Sequence, residues 1–255
     1  MKLHYRKVGE SGQPLIILHG LFGTSDNWQT HAKLFAQDHV VYLVDQRNHG
    51  HSPHTDEMNY YAMADDLKEI FDSEKITDAI LMGHSMGGKT AMFFAQEHAR
   101  LLNKLIVVDM GIKKYPPHHQ LIFEALMAVD LDKVKTRKEV ENSVSSYFQD
   151  QTVIQFLLKN LYWTDREQLA WRMNLQVLYR DIENILAAIP HKKVDVPTLF
   201  LRGGKSNYVL DEDWDNIREH FPNARLETIE KAGHWVHAEV PKEFYDAVHA
   251  FIGKQ

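Results

Sequence analysis

The residue best suited to covalent chemistry in this chain is a serine set between two glycines, in Gly83-His84-Ser85-Met86-Gly87. The pentapeptide follows the apolar run Ala79-Ile80-Leu81-Met82 and precedes a stretch with apolar residues at helical spacing, Ala91, Phe94 and Ala95. A G-x-S-x-G turn between strand and helix is tight enough to hold the serine in strained dihedrals, with its hydroxyl exposed at the sheet edge. Glycines two before and two after keep the neighbouring chain clear. The helix N-terminus behind the turn favours developing negative charge. Chance can place such a pentapeptide in any glycine-containing turn. The strand before it and the helix after it favour function, so Ser85 is expected to be a nucleophile.

A serine hydroxyl needs a base, and 16 histidines are available. Chain order selects among them, because in this motif's usual setting the base comes last, after the acid. His234, in Ala232-Gly233-His234-Trp235, lies just beyond the strand-like run Arg225 to Ile229. His237 is its competitor three residues on, where a helix is expected to start. His84 adjoins the nucleophile and is expected to pack beneath the turn. The acid is less regular. The loop after Pro197 to Leu201 reads Arg202-Gly203-Gly204-Lys205-Ser206-Asn207-Tyr208-Val209, with Asn207 where an aspartate is expected. Asparagine carries no charge to stabilise an imidazolium. The alternatives are Asp211 or Asp213 nearby, and Asp109, which ends the buried run Leu105 to Val108. Asp109 is preferred, because an acid at the end of a buried strand needs a reason to be there.

His19-Gly20-Leu21-Phe22-Gly23 follows the first apolar run and suits a sharp turn presenting backbone N–H groups to a substrate oxygen. The expected oxyanion donors are the amides of Leu21 and Met86, each commonly worth roughly 3 kcal/mol in the transition state. Phe22 and Trp235 are assigned to the substrate pocket, and the His19 side chain to support of the loop.

The elements that must position these groups are visible as short apolar runs. Leu15 to Leu18, Val40 to Val44, Ala79 to Met82 and Leu105 to Val108 read as strands buried on both faces. Met63, Leu67, Ile70 and Phe71 form one helical face between them. Alternation of this kind predicts an α/β fold with a mostly parallel sheet flanked by helices. From Lys113 to Lys193 the strand pattern lapses and helical spacing dominates, as at Leu121, Ala125, Leu126 and Val129. It returns at Pro197 to Leu201. The expected organisation is a core of residues 1–112 and 194–255 with a helical cap at 113–193, and hinges at Pro116-Pro117 and Pro190.

The remaining features narrow the partners. A net charge of -6 over 255 residues argues against nucleic acid, whose binding needs a basic surface. The absence of cysteine excludes disulfides, thiolate metal sites and a cysteine nucleophile, and fits a cytoplasmic protein. Met1 to Lys7 has basic residues with no apolar run behind them, so no secretory signal is expected. Apolar runs as short as Leu105 to Val108 are too short to cross a bilayer, so no membrane insertion is expected. His49-Gly50-His51-Ser52-Pro53-His54 approaches the H-x-H-x-D-H metal signature, but Pro53 replaces the aspartate ligand. No metal and no cofactor are expected. The cap aromatics, such as Phe156, Trp163 and Trp171, are expected to form cap core and part of an acyl pocket.

Together these stretches resemble the α/β-hydrolase superfamily over essentially the whole chain. Within it they are most similar to the small bacterial esterase and acyl-CoA thioesterase group typified by the YbfF esterase, related to the abhydrolase-domain-11 proteins. The resemblance rests on His19 to Gly23 with Asp26-Asn27-Trp28, Asp45 to Ser52, Gly83 to Lys89, Gln155 to Lys159, Gly203 to Val209, and Gly233 to Ala238. In that group too the usual acid position is not aspartate, and the acid follows the strand after the nucleophile. That implies Asp109. It also implies a helical cap, and cleavage of a small-molecule acyl ester or acyl-CoA by a monomer or homodimer. Two rival readings are a C–C hydrolase or lyase, whose carboxylate-bearing substrate Arg172 or Arg180 would hold, and a non-catalytic ligand receptor.

Overall fold

A computed structural model describes residues 1–253. The chain opens with β1 (Tyr5–Val8), β2 (Gln13–Leu18), α1 (Gln29–Phe35), β3 (His39–Val44), α2 (Tyr60–Ser73), β4 (Ala79–His84), α3 (Met86–His98) and β5 (Leu102–Val108). Next come α4 (Gln120–Met127), α5 (Arg137–Ser145), α6 (Gln151–Leu158), β6 (Leu161–Trp163), β7 (Leu169–Trp171), α7 (Leu175–Arg180) and α8 (Ile182–Leu186). The chain then returns through β8 (Thr198–Gly203), α9 (Trp214–His220), β9 (Ala224–Ile229), α10 (Val236–Glu239) and α11 (Pro241–Ile252). Seven strands form one sheet in the order β1-β3-β2-β4-β5-β8-β9. Only β1 runs antiparallel, against β3.

The apolar runs build this sheet because side chains alternate between its faces. Leu15, Ile17, Ile80, Met82, Ile106 and Val108 point to a core shared with α1 and α11. Their neighbours Ile16, Leu18, Leu81, Leu105 and Val107 point to the other core, with Met63, Leu67, Ile70 and Phe71 of α2 and Phe94 of α3. The central strands are therefore apolar on both faces over their buried stretches, Leu15 to Leu18, Val40 to Val44, Ala79 to Met82 and Leu105 to Val108.

Between β5 and β8 the helical pattern holds, with two departures. The antiparallel pair β6–β7 stands there, where the sequence showed no strand. Each strand is only three residues long and buries mainly its first residue, Leu161 or Leu169, so no periodicity could register. Leu121 also departs, being exposed while Ala125 and Leu126 are buried. This segment has a small core of its own around Val140, Val144, Ile154 and Leu158. β1 was missed as well; it is a partly exposed edge strand of mixed polarity.

The fold buries several histidines in neutral form. Burial pushes His49 and His237 down to about 3, and lowers His84 well below its usual range. An unfolded imidazole takes a proton near pH 6.5. These groups thus bind more protons unfolded than folded, and their stability contribution is full above about 6.5 and lost as pH falls toward 3. His49 and His237 should each remove about 2 kcal/mol by pH 5. Thermal unfolding is expected to shift steadily downward between pH 7 and pH 5. A midpoint constant over that range would contradict this.

Candidate active site

The loops leaving the carboxyl ends of β2, β4, β5, β8 and β9 meet at one edge of the sheet, the usual place for ligands in open α/β sheets. Three of them hold a non-glycine residue at positive φ: Phe22 at 60°, Ser85 at 54° and Asp109 at 47°. Such conformations cost of order 1–3 kcal/mol each and persist only where the surroundings enforce them.

At Ser85 the enforcement is steric. A Cβ on Gly83 would lie 2.1 Å from the Gly87 carbonyl oxygen, and one on Gly87 would lie 2.5 Å from that of Leu18. No side chain fits at either position. The Ser85 amide donates to the Val108 carbonyl at 3.1 Å, fastening the turn to β5. α3 starts at Met86, whose amide, as the first in the helix, has no intrahelical acceptor. The His84 side chain lies beneath the turn, its Nε2 2.8 Å from the His234 carbonyl.

Asp109 and His234 are brought together. His234 Nδ1 stands 2.7 Å from Asp109 Oδ2. The carboxylate is fully buried and held by further donors: the Gly203 amide to Oδ1 at 3.0 Å, and a short bond from the Ser206 hydroxyl to Oδ2. Asp211 lies elsewhere, 90% exposed and paired with Arg202 at 2.5 Å. Asp213 pairs with Lys113. Asn207 is exposed. His237 stacks on Trp28, with ring centroids 4.1 Å apart.

With Nδ1 facing Asp109, the Nε2 atom of His234 is left for the cavity. Ser85 and His234 both line that cavity of about 250 Å³, together with Leu21, Phe22 and Trp235. Ile122, Val153, Phe156 and Leu157 close it from the helical segment. No Ser85–His234 hydrogen bond forms among the described residues; such bonds often tighten only when substrate is present. A larger depression of about 1070 Å³ opens at the opposite sheet edge, around Gln13, Asn103 and Arg225. It contains no nucleophile beside a base, so volume alone is a poor guide here.

The Leu21 loop is braced on both sides. His19 Nε2 accepts from the Gln46 amide at 3.0 Å, and Nδ1 faces the Gly20 carbonyl, so the ring supports the turn. The Phe22 amide donates to His49 at 3.2 Å, and the Phe22 carbonyl accepts from Asn160 of the helical segment at 2.7 Å. The Leu21 amide has no partner among the described residues.

The histidines of the 49–54 stretch do not converge. His49 holds the Phe22 amide, His54 faces the Arg172 carbonyl, and His51 lies with His4 and Asp45. Arg172 packs over Tyr162 and Arg180 pairs with Asp181; neither lines the cavity.

Reading the sequence missed Ser206 and Tyr208. Tyr208 stacks on His234 with centroids 4.0 Å apart and planes at 16°, and its hydroxyl lies 2.5 Å from His118 Nε2. Both stand in the loop where Asn207 replaces the expected aspartate, and that departure is the one signal in the sequence pointing to this loop.

The alpha/beta hydrolase family model matches residues 15–247. The esterase YbfF of Escherichia coli is 37% identical over 99% of both chains. The sn-1-specific diacylglycerol lipase ABHD11 of Mus musculus is 38% identical over 96% of this chain and 82% of its own. The solved structure of a marine microorganism esterase superposes with a TM-score of 0.96 at 43% identity, covering 98% of this chain and 99% of the other. The chain therefore belongs to the alpha/beta hydrolase family, in its YbfF-like esterase group.

Proposed function

We propose that this protein is a serine hydrolase cleaving carboxylic esters or acyl thioesters through an acyl-enzyme on Ser85. The observation that carries the proposal is the 2.7 Å contact of His234 Nδ1 with buried Asp109, at the wall of the cavity that also holds strained Ser85. As Ser85 Oγ bonds to the substrate carbonyl carbon, its proton passes to His234 Nε2. The carbonyl π electrons move onto oxygen, which the Leu21 and Met86 amides hold. Collapse re-forms the carbonyl and breaks the bond to the alkoxide or thiolate, which takes the proton from His234. Water then attacks the acyl-enzyme, giving its proton to His234, and the acid leaves as Ser85 recovers a proton. Asp109 orients His234 and stabilises its charged form.

The segment 113–193 serves as a cap, with its Ile122, Val153 and Phe156 forming the apolar wall. The apolar lining and the names of the relatives, esterase and diacylglycerol lipase, support an ester with an apolar acyl or alcohol part. The lack of cysteine suits a cytoplasmic enzyme. A rate profile over p-nitrophenyl and acyl-CoA substrates of increasing chain length tests the reading. Turnover of at least one series is expected. Cleavage of carboxylated diketones with no turnover of any ester or thioester would replace it with carbon–carbon hydrolysis.

A further inference from the structure

Lys89 is fully buried, three residues into the helix that begins at Met86, and plays no part in the mechanism above. Among the described residues no carboxylate pairs with it, and burial alone pushes it down to about 7. A buried amine without a counter-charge is costly and needs its N–H donors satisfied. Its Nζ donates to the carbonyls of Lys113 at 2.9 Å, Leu186 at 3.4 Å and, in a short bond, Ala187. The ammonium also lies 4.8 Å from the centre of the Tyr115 ring. Three donors thus meet three acceptors, supplied by the two chain segments that leave and rejoin the core. Those segments run side by side, with Tyr115 N–H on the Leu186 carbonyl at 2.9 Å and Ile189 N–H on the Ile112 carbonyl at 2.8 Å.

The same segments wall a second, much smaller space. Tyr115, Ile185 and Leu186, with Tyr60, enclose a crevice of about 10 Å³ directly beside Ser85 and Met86. A substrate carbonyl held by the Met86 amide sends one substituent toward this crevice and the other toward the 250 Å³ cavity. The leaving group must depart and water must enter after the acyl-enzyme forms, so the roomier cavity suits that traffic. The enclosed crevice is left for the acyl group and, with room for about one water, restricts it to short chains.

We infer that Lys89 is a positioning residue that sets acyl-chain selectivity, by tying both walls of the crevice to the nucleophile helix. This rests on the acyl-enzyme reading, which Ser85→Ala tests separately. Lys89→Met keeps the length and removes the donors, so the walls separate and longer acyl chains gain access. The ratio of kcat/KM for p-nitrophenyl octanoate to that for p-nitrophenyl acetate should rise about tenfold, the effect of a modest change in an apolar pocket. Amide hydrogen exchange at 112–115 and 185–189 should quicken in the same variant while β4 stays protected. A ratio equal to that of the unaltered protein overturns the inference, whether or not exchange changes. If Lys89→Met fails to fold, Lys89→Gln, which retains two N–H donors, carries the same test, with a smaller rise expected and an unchanged ratio overturning the inference. Failure of both to fold would make Lys89 a requirement of the fold, and also overturns it.

Discussion

Ser85→Ala is expected to lower kcat toward a p-nitrophenyl ester by about 10⁴- to 10⁶-fold, the loss seen when a nucleophile is removed from a serine hydrolase site. The fold should be unaffected. The strain at φ 54° is imposed by Gly83, Gly87 and the Val108 carbonyl, and alanine meets the same constraints. The Ser85 hydroxyl makes no hydrogen bond among the described residues, so its removal strands no partner. Unchanged thermal unfolding alongside the lost rate would assign the loss to chemistry. Full turnover by this variant would sink the mechanism.

The second large effect is expected at Asp109. Asp109→Asn should lower kcat by about 10⁴-fold, whereas Asp211→Asn should leave it within about a factor of two. The reason is the tautomer. A carboxylate at 2.7 Å accepts from His234 Nδ1–H, leaving Nε2 unprotonated and able to take the serine proton. An asparagine amide can instead donate to Nδ1, which puts the proton on Nε2, where it blocks the base. Asp211 is an exposed partner of Arg202, and such surface pairs contribute little. If Asp211→Asn abolished turnover and Asp109→Asn did not, the acid would have to be reassigned.

The parts of this site legible in the sequence are those whose physics is local. The strained turn at Ser85 announces itself through the glycines at 83 and 87, since their spacing answers a steric demand within five residues. His234 follows from chain order, and Asp109 from a missing aspartate at Asn207 combined with an acid at the end of a buried strand. The strands β2 to β5 and β8 were readable because burial on both faces makes their central stretches continuous apolar runs. What escaped notice depends on long-range contacts. Ser206 meets Asp109 across 97 residues, and Asn160 reaches the Phe22 carbonyl across 138. Neither residue type signals such a partner. Tyr208 shows no role in the sequence, and only the fold lays it on His234. The β6–β7 pair was too short for alternation to show, and the mixed pattern of β1 marks an edge strand only once β3 is beside it.

The central claim, that Ser85 forms a covalent acyl-type adduct, is tested most directly by labelling the folded protein with a fluorophosphonate and mapping the adduct by mass spectrometry. The account predicts one adduct, on the peptide containing Ser85, absent from Ser85→Ala and slowed in Asp109→Asn. An unlabelled Ser85 in protein that still turns over p-nitrophenyl esters, or an equal adduct on another residue in Ser85→Ala, would contradict it.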